Sequence, residues 1–375
     1  MLPSSGLRIG RIFGIDIVIN MSWIVILILI SVSFGSVFHD TPDFPQGIWP
    51  WVVGAVTGVI FFAGLLLHEL SHSYVAKRRG IEINRITLWL FGGVAEMSDE
   101  AEKPGDEFRM AIAGPLVTFI LGGIFGLLYL LLLNNAPVVI VAPLGSLAFW
   151  NLVIGVFNLV PAYPLDGGRV LRSILWHRTG DLRKSTRVAS ISGQAFAVLL
   201  AGTGVFFFIT GPVYYGIWPL ILAFFIYQLA QSGYQQTLLR IAASDTRVRD
   251  IMYTNVPLID ASTPLTMLRY NYFTAYSLPA FPVVDGGRVI GIVGRDDLYH
   301  VSAAEWDVLD AGRVARPLSP SQAVDPDTTL DKVLRRVLGG DEFMLVVEGQ
   351  NILGLLTREE LMRYVETKMK LLQQK

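Results

Sequence analysis

The 375-residue chain contains no cysteine. That removes disulfide frameworks and thiolate metal ligands together, so any metal must be held by nitrogen and oxygen. Charge is scarce too. Asp, Glu, Lys and Arg make up 16% of the residues and sum to a net −1, which leaves no cationic footprint for nucleic acid. Histidine is rarer still, with five residues in all. The opening residues, MLPSSGLRIGRIFGIDIVINMSW, lack the charged, apolar, then small-residue order of a removable signal peptide.

What is present is apolar. Such residues make up 52% of the chain and mean hydropathy is +0.50, which places part of it in lipid. Residues 7–20 alternate apolar and polar with many β-branched side chains and predict a short hairpin on the membrane surface. Six stretches are then long and apolar enough to span: 21–38, 51–76, 110–133, 138–160, 190–211 and 213–233. The loops 39–50, 134–137 and 211–213 hold no Lys or Arg, whereas the alternate loops carry Lys77, Arg78, Arg79, Arg85, Lys103 and Arg109, then Arg169, Arg172, Arg178, Arg183, Lys184 and Arg187. The positive-inside rule makes both termini cytoplasmic. Gly54/Gly58 and Gly122/Gly126 have the spacing that lets helix backbones approach closely.

One stretch breaks the apolar pattern. From Trp51 to Ala76 the only side chains that ionise near or below neutral pH are His68, Glu69 and His72. In a helix the two histidines sit one turn apart on one face and can reach one cation, with Glu69 beside them. This His-Glu-x-x-His order is that of zinc peptidases, in which zinc acidifies water and the carboxylate shuttles its proton. Polar ionisable groups are costly in a bilayer, so their presence points to function. His68 precedes Lys77 by nine residues, about 13 Å along a helix, a depth that water can reach from the cytoplasmic edge.

A catalytic zinc site takes three protein ligands. The acidic run Glu96, Asp99, Glu100, Glu102, Asp106 and Glu107 reads as a solvated surface loop. Asn158-Leu-Val-Pro-Ala-Tyr-Pro-Leu-Asp166-Gly-Gly168 is more telling, because two prolines end the fourth span and stiffen a turn. Asp166 follows at the same cytoplasmic depth, with two glycines that let backbone pass closely. It is the expected third ligand.

After Tyr234 charge returns and the chain repeats itself. Asp260-Ala-Ser-Thr-Pro-Leu265 matches Asp325-Pro-Asp-Thr-Thr-Leu330, and Gly291-Ile-Val-Gly-Arg-Asp-Asp-Leu298 matches Gly354-Leu-Leu-Thr-Arg-Glu-Glu-Leu361. Each copy reads as a helix, two short strands joined by an Asp-Gly or Glu-Gly turn, and a second helix.

HELSH in an apolar span, together with NLVPAYPLDGG, resembles the site-2 protease family of intramembrane zinc metalloproteases, over about residues 1–235. The tandem repeat resembles a pair of cystathionine-β-synthase-type (CBS) domains, and one branch of the site-2 proteases carries such a pair. The expected fold is therefore a multi-pass α-helical membrane protein of about six transmembrane helices with an N-terminal hairpin, plus a cytoplasmic α/β CBS module. The expected domains are residues 1–240, 246–305 and 310–370.

The resemblance implies one zinc held by His68, His72 and Asp166, with Glu69 as general base and acid. It also implies that Asn158 positions substrate or oxyanion. Residues 91–96, with Gly92, Gly93 and Val94, correspond to a strand where an unwound transmembrane substrate could add, and Ala113-Gly114-Pro115 to a structural opening of the third span. The CBS resemblance implies ATP or AMP binding. Here the first copy has Asp297 but Gly294 where Ser or Thr would stand, and the second has Thr357 but Glu360 in place of Asp. Neither half carries the full pattern, so a structural or homodimerising role stays open beside nucleotide binding. The expected location is the cell membrane of a prokaryote. The rival reading, a CBS-regulated ion channel or transporter, calls for polar residues along several spans, and only 51–76 is so marked.

Overall fold

The computed structural model describes residues 6–374 except 90–91, 98–100, 277, 303–304, 320–321 and 350. Phe91 of the expected substrate strand, and Asp99 and Glu100 of the acidic run, lie outside the described residues. The chain divides into two compact units, residues 1–234 and 235–375.

In the first unit, β1 (Leu7–Ile12) and β2 (Ile15–Ile19) form the expected hairpin, turned by Phe13 and Gly14 in the left-handed region. The hairpin is half of a larger sheet. β3 (Ile83–Trp89) runs parallel to β2 and pairs antiparallel with β4 (Gly92–Met97), giving the order β1-β2-β3-β4 with β4 at an edge. Ile15, Ile17, Ile86 and Leu88 bury one face of this sheet against Leu70, Ala76 and Met110.

Among the described residues, six helices are long and apolar enough to cross a membrane: α1 (Met21–His39), α2 (Trp49–Arg78), α3 (Pro104–Leu132), α4 (Val138–Asn158), α6 (Leu182–Thr210) and α7 (Val213–Ser244). A shorter helix that the sequence reading did not anticipate, α5 (Asp166–Thr179), lies between the fourth and fifth. The third and fifth spans begin before the residues expected, for local reasons. Pro104 starts α3 at a position where a missing N–H costs nothing, and the Asp181 carboxylate caps α6 by accepting the Lys184 N–H at 3.0 Å. That backbone hydrogen bond and the Lys184 ammonium hold Asp181 below the ordinary carboxylate range.

Three of the four predicted glycines make close contacts, whereas a Cβ on Gly126 would lie an ordinary 3.8 Å from Ala148 Cβ. A Cβ on Gly54 would fall 2.5 Å from the Gly35 nitrogen of α1, and one on Gly58 2.5 Å from Ser31 Oγ. Gly122 packs on Leu152 of α4 in the same way. Large apolar side chains such as Ile28, Leu130, Leu199 and Ile209 remain exposed, which suits a lipid-facing surface.

The second unit contains two three-stranded sheets. β5 (Ile259–Asp260), β6 (Ala280–Asp285) and β7 (Arg288–Gly294) form one, and β8 (Ala323–Val324), β9 (Phe343–Glu348) and β10 (Asn351–Thr357) the other. Each keeps the expected hairpin and adds a short parallel strand at one edge. Phe343, Leu345 and Leu355 of the second copy share a core with Phe281, Val283 and Ile292 of the first.

Placing Leu at Gly54 drives a side chain into the α1 backbone and is expected to cost about 1–3 kcal/mol. Leu at Gly123, which has open space around it, is expected to be near neutral. Thermal unfolding midpoints of the two variants in detergent micelles make the comparison.

Candidate metal centre

His68 and His72 lie on the buried face of α2, one turn apart, and α5 brings Asp166 to them. All three side chains are buried. The His68 and His72 Nε2 atoms are 3.2 Å apart, and Asp166 Oδ2 lies 3.2 Å from the first and 3.3 Å from the second. This near-equilateral triangle is the only cluster of its kind among the described residues. Ligand atoms bound to one tetrahedral zinc at about 2.0–2.1 Å stand about 3.3 Å apart, so both the donor set and its spacing fit zinc.

The ring tautomers are fixed by partners on α3. Met110 O can only accept, so His72 Nδ1–H donates to it at 2.6 Å. The Thr118 hydroxyl donates to Gly114 O at 3.1 Å and is left to accept from His68 Nδ1–H at 2.7 Å. Both rings therefore turn an Nε2 lone pair towards the triangle.

The space between the ligands depends on Gly114. A Cβ there would fall 2.3 Å from His72 Nε2 and 2.6 Å from His68 Nε2, where a cation must sit. Asp166 is placed by a tight loop. Side chains on Gly167 or Gly168 would strike Leu159 O or Tyr163 N at 2.2 Å. The Ser192 hydroxyl donates to Pro161 O, and the Tyr163 ring packs on Gly233 of α7.

Glu69 is half-buried beside the triangle, and its carboxylate accepts a hydrogen bond from the Gly93 N–H of β4. A side chain on Gly93 would meet Glu69 Cγ at 2.5 Å. β4 thus sets the edge of the sheet against the carboxylate. Gly92 pairs with Trp89 and Val94 with Thr87 in the same strand. Asn158 is the half-buried last residue of α4, and its side chain makes no hydrogen bond among the described residues. The buried amide of that helix is Asn151, whose Nδ2 donates to Leu147 O at 2.8 Å.

Comparison with known proteins shows the family. The model of peptidase family M50 matches residues 56–139 and 133–203, and that of the CBS domain matches 248–304 and 312–367. The chain is similar to Rip3 of Mycobacterium tuberculosis, 31% identical over 96% of this chain and 92% of that one. It is also similar to zinc metalloprotease MJ0392 of Methanocaldococcus jannaschii, 30% identical over 95% of each. The chain belongs to the site-2 protease family, peptidase family M50, with two CBS domains. Among solved structures, the site-2 protease from Methanocaldococcus jannaschii is 32% identical, with a TM-score of 0.42, over 61% of this chain and 94% of that one. As a member of family M50 this chain is a zinc metalloprotease, which excludes the channel or transporter reading.

The acidic run of this site-2 protease is not uniformly solvated, and the surface reading of Glu107 is wrong. Glu107 is 1% exposed and paired with Arg172, itself 6% exposed. Arg172 had been counted only as a loop cation, and no local pattern linked two residues so far apart in sequence. Gly114, expected to be structural only, abuts the ligand atoms, and Thr118 and Met110 were not anticipated at all. A small residue and a hydroxyl four apart on the third span were the available signal.

In the CBS module a cavity of about 630 Å³ is lined by, among others, Tyr253, Arg295, Arg316, Thr357, Arg358 and Glu360. Thr357 Oγ1 accepts the Glu360 N–H at 3.2 Å, and Glu360 pairs with Arg363. Asp297 does not line this cavity. Its carboxylate accepts the Gly294 N–H at 2.7 Å and pairs with Arg316 at 2.7 Å.

A methyl group at Gly114 occupies the cation's position while favouring the helix by about 1 kcal/mol. Gly114→Ala is expected to lose bound zinc and, because the methyl strikes two buried imidazoles, to be less stable by about 1–3 kcal/mol despite the helix gain, which metal analysis and unfolding of the purified protein check together.

Proposed function

We propose that this protease cuts a transmembrane protein within the bilayer, near its cytoplasmic end, with His68, His72 and Asp166 holding one zinc. The observation that carries the proposal is the ligand triangle, two corners on an apolar span and the third on α5, beside a sheet edge. Zinc in such a site supplies Lewis acidity that lowers the pKa of water to about 7. Glu69, hydrogen-bonded by Gly93, takes the proton from the attacking water and delivers it to the departing amine nitrogen. Asn158, with an unengaged amide at the end of α4, steadies the substrate carbonyl as charge develops on its oxygen.

A helical substrate hides its carbonyls in its own hydrogen bonds, so the scissile segment must be extended before attack. The segment Gly92, Gly93 and Val94 of the edge strand β4 is the candidate place for an added strand next to Glu69, whose carboxylate already takes the Gly93 N–H. The asymmetry of Lys and Arg among the loops supports a cell-membrane protein with both termini and the CBS pair in the cytoplasm. The domain limits that go with this reading are 1–240, 246–305 and 310–370.

The CBS cavity, with its arginines, tyrosine and Thr357, suits an adenine nucleotide such as ATP or AMP modulating cleavage. Thr357 and Glu360 are its candidate contacts, and Asp297 acts through Arg316. The pair also offers a surface for homodimerisation.

Glu69→Gln is expected to retain one zinc per chain and to cut a transmembrane reporter at least about 10²-fold more slowly, the lower range for a general base. Undiminished cleavage would remove the carboxylate from the mechanism. If calorimetry on the full-length protein detects no heat of ATP or AMP binding, or if Arg358→Glu leaves binding unchanged, the nucleotide role fails.

A further inference from the structure

One buried ion pair has no part in the chemistry above. Glu107, in the first turn of α3, and Arg172, in the middle of α5, meet where water is excluded. Arg172 Nε donates to Glu107 Oε1 at 2.6 Å, and a second guanidinium nitrogen reaches the same oxygen. The guanidinium also lies over the Tyr163 ring, 5.4 Å from its centre, in the loop that delivers Asp166. A buried pair of this kind is poor at stabilising a fold, because desolvating two charges consumes most of the attraction. Its strength is in fixing geometry, since two guanidinium nitrogens converging on one buried carboxylate oxygen, over an aromatic ring, accept few arrangements.

The position of Glu107 gives the pair its meaning. Seven residues of α-helix return to within ~20° of the starting direction, so Glu107, Gly114 and Thr118 share a stripe of α3, with Met110 beside it. Met110 and Thr118 orient the two histidines, and Gly114 leaves the gap between them. Among the described residues, the carboxylate ligand alone makes no hydrogen bond to α3. It is tied to the helix through Arg172, six residues further along α5. We infer that Glu107 and Arg172 are positioning residues that hold Asp166 in register with His68 and His72, so that α3 sets all three ligands while contributing none.

The inference rests on the zinc assignment proposed above, and its test reads metal affinity rather than cleavage, so the two fail separately. Zinc affinity of the full-length protein in micelles is measured by chelator competition for wild type, Glu107→Gln and Arg172→Lys. The cobalt(II)-substituted absorption spectrum is recorded for each. Both variants are expected to bind zinc about 10–100-fold more weakly, with a cobalt spectrum shifted towards that of Asp166→Asn. A merely structural pair lowers the unfolding temperature but leaves affinity and spectrum unchanged, and affinities within twofold of wild type overturn the inference. If the charge-neutralised variant does not fold, Arg172→Lys, which keeps the charge and loses the fork, decides on the same criteria. If wild type itself binds no zinc at the triad, the underlying assignment falls instead.

Discussion

Three ligand atoms held about 3.3 Å apart in a medium that tolerates no stray polar group are the constraint behind the first unit. Two of them come cheaply, because a single helical turn sets the spacing of His68 and His72. The third must arrive from a different helix, and most of the unusual packing serves that arrival. The loop before α5 is folded so tightly that Gly167 and Gly168 touch backbone, and Tyr163 is wedged against Gly233. The polar atoms this introduces are paired, as in Ser192 with Pro161 O and Glu107 with Arg172. An unpaired group there costs several kcal/mol in lipid.

The sheet solves a different problem. A membrane helix has all its backbone groups satisfied internally, whereas a strand at a sheet edge does not. β4 keeps such an edge beside Glu69, and β2 and β3 anchor it by parallel pairing that the hairpin alone cannot provide. Rigid scaffold and open edge thus meet at the carboxylate, through the single backbone contact at Gly93.

Local patterns were legible in the sequence and distant ones were not. His68, Glu69 and His72 announce themselves because four residues of spacing and an apolar background suffice. Asp166 could be found because prolines and glycines mark a bend wherever they cluster. The six spans followed from length and hydropathy, and the CBS pair from self-similarity. Glu107 was misread because its partner is 65 residues away, and a carboxylate in a charged run looks solvated until the cation facing it is known. α5 was missed because it is short and mixed in polarity, and it follows directly on the proline-rich bend. The β2–β3 pairing joins segments separated by two whole spans, and no periodicity encodes it.

The CBS repeats are duplicated without being equivalent. In the first copy the Asp297 carboxylate is engaged by Gly294 and Arg316, and in the second the corresponding Glu360 faces the cavity with Arg363. A cleft whose two walls were identical would accept a guest in either of two opposite orientations. Here the two copies differ in what they present, so that degeneracy is lifted.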